Sequence, residues 1–174
     1  MNFRPVNTAT GPDGCLYIVD MYRGIIQEGN WTKKGTYLRN QIDQKKFDKN
    51  IGRGRIYRVV YEGIKPDKKA PKMLDLSTDK LVPNLTHANG WWRDNAQKLI
   101  VIRGDKSVVP ALKRMLLNTT TNQLGRIHAL WTLNGLKALD NETLIQAMKD
   151  IDPELRKTAL WASDERVRKG DKKL

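Results

Sequence analysis

Four residues near the N-terminus have the types and spacing to do binding chemistry: Arg4, Asp20, Tyr22 and Arg23. Each falls at the end of a predicted strand. An arginine beside an aspartate and a tyrosine can hold an anionic or polyol ligand through forked hydrogen bonds. The same types also support a plainer arrangement, an Arg–Asp pair that locks the blade to its neighbour. From the sequence, that structural arrangement is preferred and the ligand site is the alternative. No catalytic residue is assigned and no metal ligands are assigned.

Absent motifs exclude several chemistries. The sequence has no Cys-x-x-Cys-His, so no covalent haem site is encoded. It also lacks His-Glu-x-x-His, a Walker loop and Gly-x-Ser-x-Gly. His87 and His128 are the only histidines. His128 sits in a predicted helix as a packed or surface side chain, and His87 shapes the turn before Trp91-Trp92. Those tryptophans are expected to seal the junction between the two halves by packing, in preference to stacking on a sugar. Gly52-Arg53-Gly54-Arg55 runs into a strand and not a helix, so it is a turn and not a phosphate loop. The four Asn-x-Thr sequons, at Asn30, Asn84, Asn118 and Asn141, matter only in a eukaryotic secretory chain.

The elements that must position the four residues begin with Gly11-Pro12-Asp13-Gly14, a tight turn. Leu16 to Val19 follows as a short strand, with Val6 to Thr10 before the turn. Ile25-Ile26 begins a further strand. A helix is expected over about 36–47, and Arg55 to Tyr61 reads as another strand. A turn feeding a short buried strand is the repeating device of a propeller blade, and any β-hairpin is the alternative. Residues 63–77, with Gly63, Pro66, Pro71 and many lysines, have linker composition.

Beyond Ser77 the apolar period becomes 3.6. Helices are expected from Ser77 to about Thr86, over about 90–103, after Asp105, over 123–133 with Ile127, Leu130 and Trp131 buried, after Asp140 or Asn141, and after Asp152-Pro153. Arg93-x-x-Ala96, Arg126-x-x-Ala129 and Arg156-x-x-Ala159 recur at near-constant spacing, which predicts paired helices of HEAT type; a plain helical bundle is the alternative. The fold class is therefore α+β: terminal β-propeller blade strands over 1–62, the linker over 63–77, and an α-solenoid of antiparallel HEAT/armadillo-like helices over 78–174.

The 174 residues carry a net charge of +13 spread along the chain and one cysteine, Cys15, which excludes an internal disulfide. A charge this basic suits an anionic partner, but no nucleic-acid signature accompanies it, so nucleic acid is not the expected partner. No apolar run is long enough for a transmembrane segment, and no signal peptide is read after Met1.

Phe3-Arg4-Pro5-Val6, then Gly-Pro-Asp-Gly-Cys-Leu-Tyr-Ile-Val-Asp-Met-Tyr-Arg-Gly-Ile-Ile-Gln over 11–27, then Gly-Arg-Gly-Arg-Ile-Tyr-Arg-Val over 52–59, stand in one order. In this order they resemble the closing part of the propeller in bacterial membrane-bound or sorbosone-type dehydrogenases. That propeller is similar to the one in quinoprotein glucose/sorbosone dehydrogenases. HEAT-like repeats follow it there, often with a cytochrome c domain. Cys15 departs from the small or hydroxylated residue usual at its position. The resemblance implies a fragment of a periplasmic or membrane-associated parent that oxidises a sugar or polyol with pyrroloquinoline quinone and passes electrons to a cytochrome c. It implies a quinone-binding role for Arg4, Asp20, Tyr22 and Arg23, and no activity for this chain alone. The alternative is a non-enzymatic scaffold that binds a protein partner on the HEAT repeats.

Overall fold

The computed structural model describes residues 2–63 and 65–170. The fold is α+β, with a three-stranded antiparallel sheet and seven α-helices among the described residues. It divides into two compact units, Met1–Lys69 and Ala70–Leu174.

The first unit is the sheet and its loops. Strands β1 (Pro5–Thr10) and β2 (Leu16–Asp20) form a hairpin with Thr10 opposite Leu16 and Pro5 opposite Asp20, and the register slips once between Pro5 and Asn7. The turn closes as its residues dictate: Gly11 N–H bonds the Cys15 carbonyl at 2.9 Å, and Gly14 takes φ +81°, where a side chain would be strained. Asp13 Oδ1 accepts the Cys15 N–H at 3.0 Å, while its Oδ2 takes the Tyr17 hydroxyl at 3.0 Å and Arg58 Nε at 2.8 Å. Burial pulls the Asp13 carboxyl up, but these hydrogen bonds and the Arg58 charge outweigh it and hold the group below its ordinary value. Helix α1 (Tyr37–Lys45) follows, capped by the Thr36 hydroxyl on Arg39 N–H. Strand β3 (Arg55–Val59) then pairs with β2, setting Asp20 opposite Arg55 and Leu16 opposite Val59.

Alternation puts Leu16, Ile18, Tyr57 and Val59 on one face of the sheet and Val19 and Ile56 on the other. Leu16, Val19, Ile56, Tyr57 and Val59 are all exposed, so apolar side chains stand uncovered on both faces. No strand forms at Ile25-Ile26, contrary to expectation. Arg4 takes the carbonyls of Arg23 and Gly24, and Gly24 lies so close to Phe47 that a Cβ would come within 2.6 Å of its carbonyl oxygen. Both contacts bend the chain away from an extended path.

The second unit is helical. Its elements are α2 (Thr78–Leu81), α3 (Gly90–Arg103), α4 (Val109–Leu117), α5 (Gln123–Gly135), α6 (Asn141–Met148) and α7 (Pro153–Arg168). Capping explains the starts: Asn89, Asn122, Asp140 and Asp152 each accept an N–H of the first turn, and Pro153 occupies the first helical position. Asp105 caps a 3₁₀ turn, Lys106–Val108, which leads into α4. Helix α5 packs against α3, α4 and α7; α6 packs on α4 and α7.

The core is Leu81, Leu85, Ile100, Leu112, Leu116, Leu130, Leu133, Leu144 and Leu155, all fully buried. Each contributes about 1.5–3 kcal/mol by leaving water. Ala96, Ala129 and Ala159 are fully buried too. In α5 the buried set is Gly125, Arg126, Ala129, Leu130, Thr132 and Leu133, whereas Ile127 and Trp131, expected to be buried, are half-buried. The core stripe runs from Arg126 through Ala129 to Leu133, which leaves Ile127 and Trp131 at its margins.

Candidate functional site

The site is assembled at one end of the sheet. Asp20 closes β2 and is 1% exposed. Its Oδ1 accepts two backbone donors, Arg4 N–H at 2.7 Å and Tyr22 N–H at 2.8 Å. Its Oδ2 is buried and has no hydrogen-bond partner among the described residues. A buried polar atom left unpaired costs about 1–3 kcal/mol and more when charged.

Asp20 therefore staples the chain on either side of the strand. Within this unit Asp20 makes no ion pair with an arginine side chain among the described residues; two backbone N–H groups take its Oδ1.

Past Asp20 the chain turns through Tyr22 in the left-handed region, φ +46°. Such a conformation is rare for an aromatic residue and persists only where the surroundings impose it. Here Asn50 Nδ2 donates to the Tyr22 carbonyl at 3.0 Å, and the Arg55 guanidinium lies over the Tyr22 ring, 3.7 Å from its centroid. Arg55 Nε also donates to the Arg53 carbonyl at 3.2 Å.

Arg4 is a structural residue. Its Nε donates to the Arg23 carbonyl at 3.3 Å and its Nη2 to the Gly24 carbonyl at 3.4 Å. It also borders a cleft of ≈ 360 Å³ with Ile25, Ile26, Leu38, Ile42 and Phe47. The side chain of Arg23 is half-buried and makes no hydrogen bond or ion pair among the described residues.

The structure thus brings the four sequence candidates together through the backbone. It adds Arg55 and Asn50, which sequence reasoning did not place there. Gly52-Arg53-Gly54-Arg55 marked the turn that delivers Arg55; nothing in the sequence marks Asn50. The arrangement is cationic: Arg23 has no carboxylate partner, and Arg55 is held face-on to an aromatic ring. It can receive a planar or forked anion. Among the described residues no cluster of three His, Cys, Asp or Glu side chains could hold a metal ion.

The other residues singled out in the sequence have packing roles. Trp92 is buried in the helical core, with Trp91 edge-on at 5.4 Å and the His87 ring at 5.4 Å. His128 Nδ1 meets Gln97 Oε1 at 2.8 Å, and burial pushes its pKa below the ordinary value against the opposing charge of Asp94. Each of the repeated arginines bonds a backbone carbonyl, and Arg126 alone of the three also pairs with a carboxylate, that of Asp150, among the described residues. Arg93 bonds the carbonyls of His87 and Ala88, Arg156 bonds those of Asp150 and Ile151, and Arg126 bonds that of Leu116. No described helix is long and apolar enough to cross a membrane.

Residues 1–63 match the family model of DUF7133, a domain of unknown function. The match spans the sheet unit through the end of β3 and with it every residue of the candidate site; it includes none of α2 to α7. No curated protein and no solved structure matches the chain.

Proposed function

We propose that residues 1–62 are a closing blade of a β-propeller and that the helical unit is a HEAT-type α-solenoid, together part of a quinoprotein-type dehydrogenase that oxidises a sugar or polyol in the periplasm and delivers electrons to a cytochrome c. The family resemblance over 3–6, 11–27 and 52–59 suggests the enzyme class. Apolar side chains on both sheet faces support the blade, since neighbouring blades cover both faces of a propeller sheet.

The observation that carries the proposal is the cationic strand end: among the described residues Arg23 has no partner for its side chain, Arg55 is stacked on Tyr22, and neither forms an ion pair. These residues fit a planar, carboxylated quinone. Pyrroloquinoline quinone, when bound, supplies the two-electron acceptor. Arg23 would fork onto a carboxylate, Arg55 would offer its open face and edge, and Arg4 would hold the loop that carries Arg23.

The test is quinone titration of the full-length polypeptide that carries this segment, wild type beside Arg23→Lys. An ammonium cannot reproduce the planar fork, so affinity should fall by about 1.5–3 kcal/mol, the scale of a charged hydrogen bond, with the melting temperature unchanged. Equal affinity, or a lower melting temperature with affinity intact, refutes the role of Arg23. Absence of quinone binding by the wild type refutes the enzyme class. The 174-residue chain alone, given quinone and calcium, should reduce dye no faster than the blank.

A non-enzymatic protein-binding scaffold is the second proposal. It is favoured by a groove of ≈ 600 Å³ in the helical unit, lined by Pro71, Leu74, Trp91 and Leu99, with Leu74 largely exposed and its strap held by Arg103 on the carbonyls of Leu74 and Leu76.

A further inference from the structure

Ile25 and Ile26 lie outside any strand, in the loop between β2 and α1. They wall a cleft of ≈ 360 Å³ whose other apolar residues are Leu38 and Ile42 of α1 and Phe47 just beyond it. Two contacts set this loop against α1. Arg4 holds the carbonyls of Arg23 and Gly24, and Gly24 packs on the Phe47 backbone with no room for a Cβ. Ile42 is 1% exposed and forms the floor, whereas Leu38 and Ile26 stay 41% and 53% exposed at the rim. A filled core would bury all three. This cleft stays open, at a size within the range of about 300–1,000 Å³ that small-molecule sites occupy.

Two polar side chains line the cleft, Arg4 and Gln27, and both can donate. Arg4 uses Nε and Nη2 on carbonyls; its Nη1 has no partner, and it forms no ion pair, among the described residues. The Gln27 amide has no hydrogen-bond partner among the described residues either. Neighbouring charges favour the same sign of ligand. Residues 24–50 hold three acidic side chains, and each is paired: Glu28 and Asp43 with Arg39, Asp48 with Lys49. Lys45, 5.9 Å from the centre of the Phe47 ring, has no carboxylate partner among the described residues. An apolar cleft with an unneutralised guanidinium and a free amide in its wall selects a ligand with an apolar body and one anionic head.

We propose that this cleft binds a small free apolar carboxylate. Its body packs on Ile25, Ile26, Leu38 and Phe47, and its head takes Arg4 Nη1 and the Gln27 amide. The cleft shares Arg4 with the cationic strand end of Tyr22, Arg23 and Arg55, but the proposal rests on neither the quinone reading nor the propeller assignment.

The test is titration of the full 174-residue chain, its isoleucine methyl groups labelled with carbon-13, against sodium octanoate and against octan-1-ol. Octanoate is expected to shift the Ile25, Ile26 and Ile42 methyl signals saturably. It should bind at least about tenfold tighter than octan-1-ol, the scale of one hydrogen bond to a charged group. Arg4→Met should bring octanoate down to the affinity of octan-1-ol. Because Arg4 also holds the loop, a second variant is made at an exposed side chain: Gln27→Glu. It sets a like charge beside the head, so octanoate should weaken by about tenfold or more with octan-1-ol unchanged. Equal affinity for acid and alcohol, shifts spread beyond the cleft, or no saturable binding overturns the proposal. So does unchanged octanoate binding by Gln27→Glu. Tighter binding of acetyl-glycyl-leucine than of octanoate would make a peptide C-terminus the occupant, and also overturns it.

Discussion

Removing the Arg126 side chain should be the most damaging single change in the helical unit. The guanidinium and the Asp150 carboxylate are 4% and 10% exposed, so the pair is cut off from water. Arg126 Nε also supplies the donor for the Leu116 carbonyl at 2.8 Å, at the end of α4. Arg126→Leu keeps the volume of the stem, strands a buried carboxylate and leaves that carbonyl unpaired. Breaking a buried pair from one side costs about 3–5 kcal/mol. For a unit of about 100 residues each kcal/mol moves the midpoint by about 4–8 °C, so the melting temperature should fall by at least about 12 °C.

The pH dependence carries a second signature of that pair. The hydrogen bond from Arg126 is the main influence on Asp150 and, against the opposing effect of burial, holds its pKa below the ordinary 3.8. A depressed folded-state pKa contributes stability that is present above pH 3.8 and is lost as pH falls through the folded value. In Arg126→Leu that contribution is gone, so the gap between variant and wild type should shrink from pH 7 to pH 3. The assay is urea unfolding followed by far-UV circular dichroism across that range, with Asp150→Asn and the double variant completing a cycle. A loss below about 1 kcal/mol, a gap independent of pH, or additive single changes would refute the reasoning.

Two further outcomes are expected. Gly24→Ala places a Cβ 2.6 Å from the Phe47 carbonyl oxygen and 2.7 Å from its Cα, backbone atoms that cannot swing aside. It should destabilise the sheet unit by about 1–3 kcal/mol, seen as faster amide exchange in β1–β3 with α3–α6 unaffected; equal exchange in the strands would contradict the close approach. Lys113→Met should raise the Asp140 titration from about 2 toward 3.8, incompletely because the Thr143 N–H bond remains. Asp140 is half exposed, so the stability lost, present above pH 3.8 and fading toward pH 2, should stay under about 1 kcal/mol. Carboxyl NMR titration reads the shift, and an unmoved pKa would show that Lys113 does not hold the group.

Local features were legible in the sequence and long-range ones were not. The Gly-Pro-Asp-Gly turn, the Asp152-Pro153 helix start and the strand expected over Leu16 to Val19 follow from residues within a few positions of one another, and each forms where its chemistry placed it, the strand running one residue further, to Asp20. Ile25-Ile26 shows the limit: two β-branched residues favour a strand, yet Arg4, some twenty residues earlier, takes the carbonyls just ahead of them. In the candidate site, Asp20, Tyr22 and Arg23 are neighbours in sequence and were found together. Asn50 and Arg55 arrive from about thirty residues away through the β2–β3 pairing, which no local pattern specifies. The contacts of Asp20 within its own unit make a related point. Side-chain charge suggested an arginine, whereas backbone N–H groups fixed by the strand end were closer.

The order of the three strands bears on how the chain acquires its structure. Neighbours β1 and β2 are joined by a short turn, but β3 reaches β2 only after an excursion that includes α1. Closing that long loop costs entropy before any ladder bond repays it, and such topologies fold slowly. The helices α3 to α7 meet neighbours one or two elements away and have no comparable delay. The half that leaves the ribosome first is thus the half that matures last. In the interval, a β1–β2 hairpin with unpaired edges and exposed Val6, Leu16 and Val19 is the state a chaperone would meet.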